Sequence, residues 1–124
     1  MKGARVLVMG ITFKENVSDI RNSRVIDLIT ELKDCGMNVS VSDPHADPAE
    51  VKHEYGLTLS SYDKHTSLDA VIVAVNHAEF KKTLSVASLQ KRLSGGASRG
   101  VVVDVKGLFS AKDFAGTKLL YWRL

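Results

Sequence analysis

The chain has 124 residues, of which 44% are hydrophobic and 25% charged, and a formal charge of +3; that is the make-up of one globular domain with a real core. The basic residues alternate with acids and no aromatic row accompanies them, which argues against a nucleic-acid partner. No run approaches the roughly 18 apolar residues that span a bilayer, and Met1-Lys2-Gly3-Ala4-Arg5 leads into a strand with no signal-peptide core, so a cytoplasmic protein without membrane contact is expected. Cys35 stands alone, which rules out an internal disulfide or a cysteine-based zinc site and agrees with a reducing compartment.

Arg5-Val6-Leu7-Val8-Met9 is a short apolar run of the kind a parallel sheet buries on both faces. A helix is expected to open at Asn22 or Ser23, with apolar positions at Val25, Leu28, Ile29 and Leu32, and to stop at Gly36. The connection from Gly10 to Asn22 is long against the usual span of roughly 2 to 6 residues, and it holds Lys14, Glu15, Asp19 and Arg21. Met37 to Asp43 alternates apolar and polar residues and reads as a second strand, completing a β-α-β unit.

Asp47-Pro48-Ala49-Glu50 has a capping-box shape and opens a short helix that Gly56 ends. Ala70 to Val75 and Val101 to Val105 are continuous β-branched runs, as in central parallel strands. Between them Ser85 caps a helical segment with Val86, Leu89 and Leu93, and Gly95-Gly96-Ala97-Ser98 forms a turn. A fifth strand is expected near Lys118 to Trp122. The alternation predicts a Rossmann-like three-layer α/β/α sandwich with a mostly parallel sheet of about five strands. Residues 1–124 read as one domain, cut from a longer chain.

In such a sheet ligands bind at the carboxyl ends of the strands. Three central strands deliver candidates there: Lys14, Asp19 and Arg21 after the first, Asn76 and His77 after the strand ending at Val75, and Lys106 after the strand ending at Val105. The cations suit a diphosphate, with Arg21 as a planar fork and Lys14 and Lys106 as point charges, and Asn76 suits a sugar or base edge; the simpler alternative for any one of them is a solvated loop charge. The three-glycine dinucleotide fingerprint is missing, since Gly10 is followed by Ile11, Thr12 and Phe13. Asp43 stands where a ribose-binding acid would, but a turn-forming Asp-Pro is the simpler reading. Cys35 reads as structural, His77 either as a neutral hydrogen-bonding group near substrate or as a surface histidine beginning a helix, and Tyr121 and Trp122 as packed on the sheet. The histidines lack metal-ligand spacing, and no set of nucleophile, base and oxyanion hole assembles.

The run from Gly10 to Ser23, with Ser42-Asp43-Pro44, Asn76-His77-Ala78-Glu79-Phe80 and Asp104-Val105-Lys106-Gly107, resembles the C-terminal domain of the UDP-glucose/GDP-mannose dehydrogenase family over essentially the whole chain. Asn16, Asn22, the Val-Lys-Gly after Asp104 and the terminal Tyr121-Trp122-Arg123-Leu124 are most similar to the UDP-N-acetylhexosamine 6-dehydrogenases of Vi-antigen and capsule biosynthesis. The resemblance implies an NAD-dependent oxidoreductase that takes a UDP-sugar from alcohol to carboxylate at C6 through a thioester on a cysteine. It implies an N-terminal NAD-binding domain and a middle domain that builds a homodimer or larger assembly and carries that cysteine; neither has a counterpart here, so the isolated chain is expected to be inactive. By the same resemblance Lys14 contacts the UDP-sugar, Lys106 stands in for a substrate-binding arginine, Arg21 reaches NAD, and Asp19 and Ser23 orient the loop. The competing reading is a free-standing, non-catalytic nucleotide-binding or regulatory module.

Overall fold

The computed structural model describes residues 3–12, 20, 24–75, 77–93 and 100–123. Among these residues five strands, β1 (Arg5–Met9), β2 (Asn38–Ser42), β3 (Ala70–Val73), β4 (Val101–Asp104) and β5 (Leu120–Arg123), form one sheet in the order β2-β1-β3-β4-β5. Every pairing is parallel, and the register places Ser42, Met9, Val73, Asp104 and Arg123 in one row across the carboxyl edge. The chain leaves β1 toward β2 and returns to β3 on the other side, so the topological switch point lies between β1 and β3.

Both faces are covered, giving the three expected layers. Leu7, Met9, Val71, Val73 and Val102 pack on one face with Phe80 of α3 (Ala78–Thr83) and Leu89 of α4 (Val86–Arg92). Val6, Val8 and Ile72 pack on the other with Ile29 of α1 (Val25–Asp34) and Val51 of α2 (Pro48–Tyr55). Each such aliphatic side chain contributes about 1.5–3 kcal/mol when fully buried.

Local signals set most boundaries. Gly36, at φ +87°, ends α1: its amide donates to the Lys33 carbonyl at 2.9 Å and that of Met37 to the Leu32 carbonyl at 3.2 Å, the paired bonds of a Schellman stop. The Asp47 carboxylate accepts from the amides of Ala49 and Glu50, with Pro48 in the first turn of α2 and Gly56 left-handed at its end. Ser85 caps α4 in a reciprocal box with Ser88. Helix α1, by contrast, starts at Val25 with Arg24 in the cap position and no side-chain cap bond; Asn22 and Ser23 lie outside the described residues.

Candidate functional site

Because the strands end in register, the segments after Met9, Val73 and Asp104 emerge side by side. At the switch point Gly10 has φ +99°, and a Cβ there would lie 2.6 Å from the Cβ of Val75 and 3.0 Å from its backbone nitrogen. Glycine is needed for the two loops to touch.

Asp43, one residue beyond β2 and 8% exposed, ties these loops together. Its Oδ2 accepts from the amides of Ile11 at 2.7 Å and Thr12 at 3.2 Å and from His77 Nε2 at 3.0 Å. Its Oδ1 accepts from the amides of His45 at 2.7 Å and Ala46 at 3.2 Å. Burial pushes its pKa up, but the bonds from His77, Ile11 and His45 outweigh that and hold the carboxyl below its usual value. The Asp-Pro reading as a turn holds, since the Oδ1 bonds form an Asx turn; the bonds to residues 11, 12 and 77 are long-range and were invisible as motifs.

His77 is 0% exposed, which corrects the reading of it as a surface histidine, although it does sit at the cap position of α3. Its Nε2 lies 3.0 Å from the acceptor-only Asp43 Oδ2, which makes it a donor, and 3.1 Å from Thr12 Oγ1. The ring packs 4.4 Å from that of His45, whose Nε2 lies 2.8 Å from Glu79 Oε1. His77 thus braces the two loops from within.

A second buried carboxylate shapes the loop after β4. Asp104 is 0% exposed. Its Oδ1 accepts from the amides of Gly107 and Leu108, both at 2.9 Å, and its Oδ2 from that of Phe109 at 2.7 Å. The Tyr121 hydroxyl lies 2.7 Å from Asp104 Oδ2 and 2.9 Å from the Phe109 carbonyl, with one proton to serve both. Burial and the Asp104 carboxylate push the Tyr121 phenol strongly up. Tyr121 also stacks on Phe114, with ring centroids 4.7 Å apart. Lys106 is exposed on this fixed turn. Trp122, expected on the sheet, is 62% exposed, because it follows Tyr121 on an edge strand and points the other way.

Of the other candidates, Lys14, Asp19, Arg21, Ser23 and Asn76 lie outside the described residues. Cys35 is free and exposed at the end of α1, which leads into the start of β2 at the opposite, amino edge of the sheet. That separates it from the site.

The residues do not fit a dinucleotide cradle. The amides of Ile11 and Thr12, the first after the β1 turn, are taken by the chain's own Asp43 carboxylate. Helix α1 begins only at Val25, so its amino end does not follow the turn as that motif requires. A hollow of about 530 Å³ opens beside β2, but Asp43, Asp63 and Glu79 line it against Lys64, the wrong balance for a phosphate. The β4 loop with Lys106 has the right sign. Among the described residues no helix is long and apolar enough to cross a membrane.

The same architecture occurs in solved nucleotide-sugar dehydrogenases. The structure of NDP-N-acetyl-D-galactosaminuronic acid dehydrogenase from Methanosarcina mazei Go1 matches 98% of this chain, and 24% of its own, at a TM-score of 0.84 and 20% identity. The UDP-D-ManNAc dehydrogenase from Pyrococcus horikoshii matches 97% of this chain, and 25% of its own, at 0.72 and 21%.

Sequence supplies the family. Residues 7–111 match the UDP binding domain of the UDP-glucose/GDP-mannose dehydrogenase family, and the chain belongs to that family. It is 46% identical over 114 residues to the UDP-N-acetyl-D-glucosamine 6-dehydrogenase of Salmonella typhi, covering 91% of this chain and 26% of that protein. It is 41% identical over 106 residues to the enzyme of the same name from Pseudomonas aeruginosa, covering 86% and 24%. Protein CapL of Staphylococcus aureus is 38% identical over 125 residues, covering 100% and 28%. The chain therefore spans about a quarter of the length of these relatives.

Proposed function

We propose that the chain is the UDP-sugar-binding domain of an NAD-dependent UDP-N-acetylhexosamine 6-dehydrogenase serving polysaccharide or capsule biosynthesis. The observation that carries this reading is the 46% identity to the Salmonella typhi UDP-N-acetyl-D-glucosamine 6-dehydrogenase along nearly the whole chain. The relatives support this reading and lend nothing to a free-standing regulatory module.

In this proposal Lys106 and Lys14 neutralise the diphosphate while Asn76 bonds the nucleoside or sugar. Charge-assisted bonds of this kind contribute on the order of 1.5–3 kcal/mol each. His77 acts from behind, as a positioning residue that holds the loops after β1 and β3 through Asp43. Asp19 and Ser23 are assigned to orienting the first loop and Arg21 to contacting NAD, which is held mainly by another domain. NAD would supply the hydride acceptor when bound; the Ile11 and Thr12 amides of this chain, already taken by Asp43, would not be free to hold its pyrophosphate. The catalytic cysteine belongs to a middle domain that also builds a homodimer or larger assembly, and this chain alone is inactive. The free, exposed Cys35 suits the reducing cytoplasm.

The test is calorimetry of the chain with UDP-N-acetylglucosamine, UDP-N-acetylgalactosamine, UDP and NAD, alongside an assay for NADH formation. Binding of the uridine ligands with no NADH formed supports the proposal; binding of NAD in preference to UDP, or turnover by the chain alone, contradicts it.

A further inference from the structure

Gly107 has φ +78°, and a Cβ on it would fall 2.7 Å from Nη2, 2.9 Å from Cζ and 3.0 Å from Nε of Arg123. The three near-equal distances place the guanidinium over the space a side chain on Gly107 would fill, one residue from Lys106. Arg123 is also the register partner of Asp104, in the row where all five strands end. We infer that Arg123 is a second anion-binding residue, which takes phosphate oxygens beside Lys106, and that Gly107 is the seat that keeps its guanidinium there. This rests on the proposal that the carboxyl edge binds a nucleoside diphosphate, and assigns it a residue beyond those the β1, β3 and β4 loops supply.

Charge bookkeeping points the same way. Asp104, the nearest buried carboxylate, has its oxygens taken by three amides and the Tyr121 hydroxyl. Among the described residues neither Arg123 nor Lys106 forms an ion pair with a carboxylate. Both are exposed. Two cationic residues thus stand at one turn, with the Asp104 carboxylate behind it. A planar fork next to a point charge matches the paired oxygens of a diphosphate.

Calorimetry of the chain with UDP and with inorganic pyrophosphate tests this. Arg123→Ala should weaken UDP binding by at least about tenfold, with Arg123→Lys intermediate. Gly107→Ala, which keeps the arginine but fills its seat, should weaken it as well. Arg123→Gln replaces the alanine variant if circular dichroism shows that variant unfolded. Equal UDP affinity in wild type and a folded Arg123 variant overturns the inference while leaving the UDP-binding domain intact. Failure of wild type to bind either UDP or pyrophosphate overturns both.

Discussion

Asp43 and His77, 34 residues apart and both withdrawn from solvent, meet at 3.0 Å between Oδ2 and Nε2. Through this bond the turn after β2 grips the loop after β3, while the same carboxylate oxygen holds the Ile11 and Thr12 amides in the loop after β1. Three chain segments at the switch point therefore depend on one side chain.

Removing it should be costly. Asp43→Ala leaves five donors without their acceptor, and loss of one partner from a buried charged cluster costs about 3–5 kcal/mol. Urea denaturation of the variant should show that loss through a lower midpoint; a loss under about 1 kcal/mol would mean that solvent replaces the carboxylate freely.

The lowered pKa of Asp43 carries a pH signature. A carboxyl that is more acidic folded than unfolded adds stability fully present above the ordinary carboxylate pKa of roughly 4, and that contribution disappears as pH falls through the depressed folded value. Wild type should lose stability more steeply than Asp43→Asn below about pH 4. Parallel denaturation midpoints from pH 6 to 3 would contradict the assignment.

Gly10→Ala forces a side chain onto φ +99° and within 2.6 Å of the Val75 Cβ. Left-handed strain and overpacking together should cost about 2–4 kcal/mol, visible as a melting temperature lower by several degrees. A variant as stable as wild type would show that the two loops part easily.

Tyr121→Phe removes the hydroxyl from Asp104 and the Phe109 carbonyl while keeping the stack on Phe114. A loss of about 1–3 kcal/mol is expected, with weakened UDP binding from a looser Lys106 turn. In wild type, Tyr121 should ionise well above the ordinary tyrosine range in an alkaline spectrophotometric titration, since burial and Asp104 both oppose the phenolate. Loss of a high-pH transition in the Phe variant confirms the assignment; an unchanged titration contradicts it.

What was legible in the residues was local. Asp47-Pro48, Ser85, Gly36 and the β-branched runs act through neighbours a few positions away, and the sheet and most helix limits followed from them. The site is set by pairings across the chain, such as Asp43 with Ile11 and Tyr121 with Asp104, which no short motif encodes. An acid at the carboxyl end of each of two strands, Asp43 just after β2 and Asp104 closing β4, was the available signal. The burial of His77 and the exposure of Trp122 depend likewise on which strand forms the edge, and that emerges only from the strand order.

The most direct measurement is an NMR titration of the isotopically labelled chain with UDP. Shifts clustered on the amides of Gly107, Leu108 and Phe109 and on the loops after Met9 and Val73, abolished by Lys106→Ala, are the predicted result. Shifts clustered instead at the amino edge, around the hollow lined by Arg5, Asn38 and His65, or no shift at saturating UDP, would contradict a UDP-binding carboxyl edge.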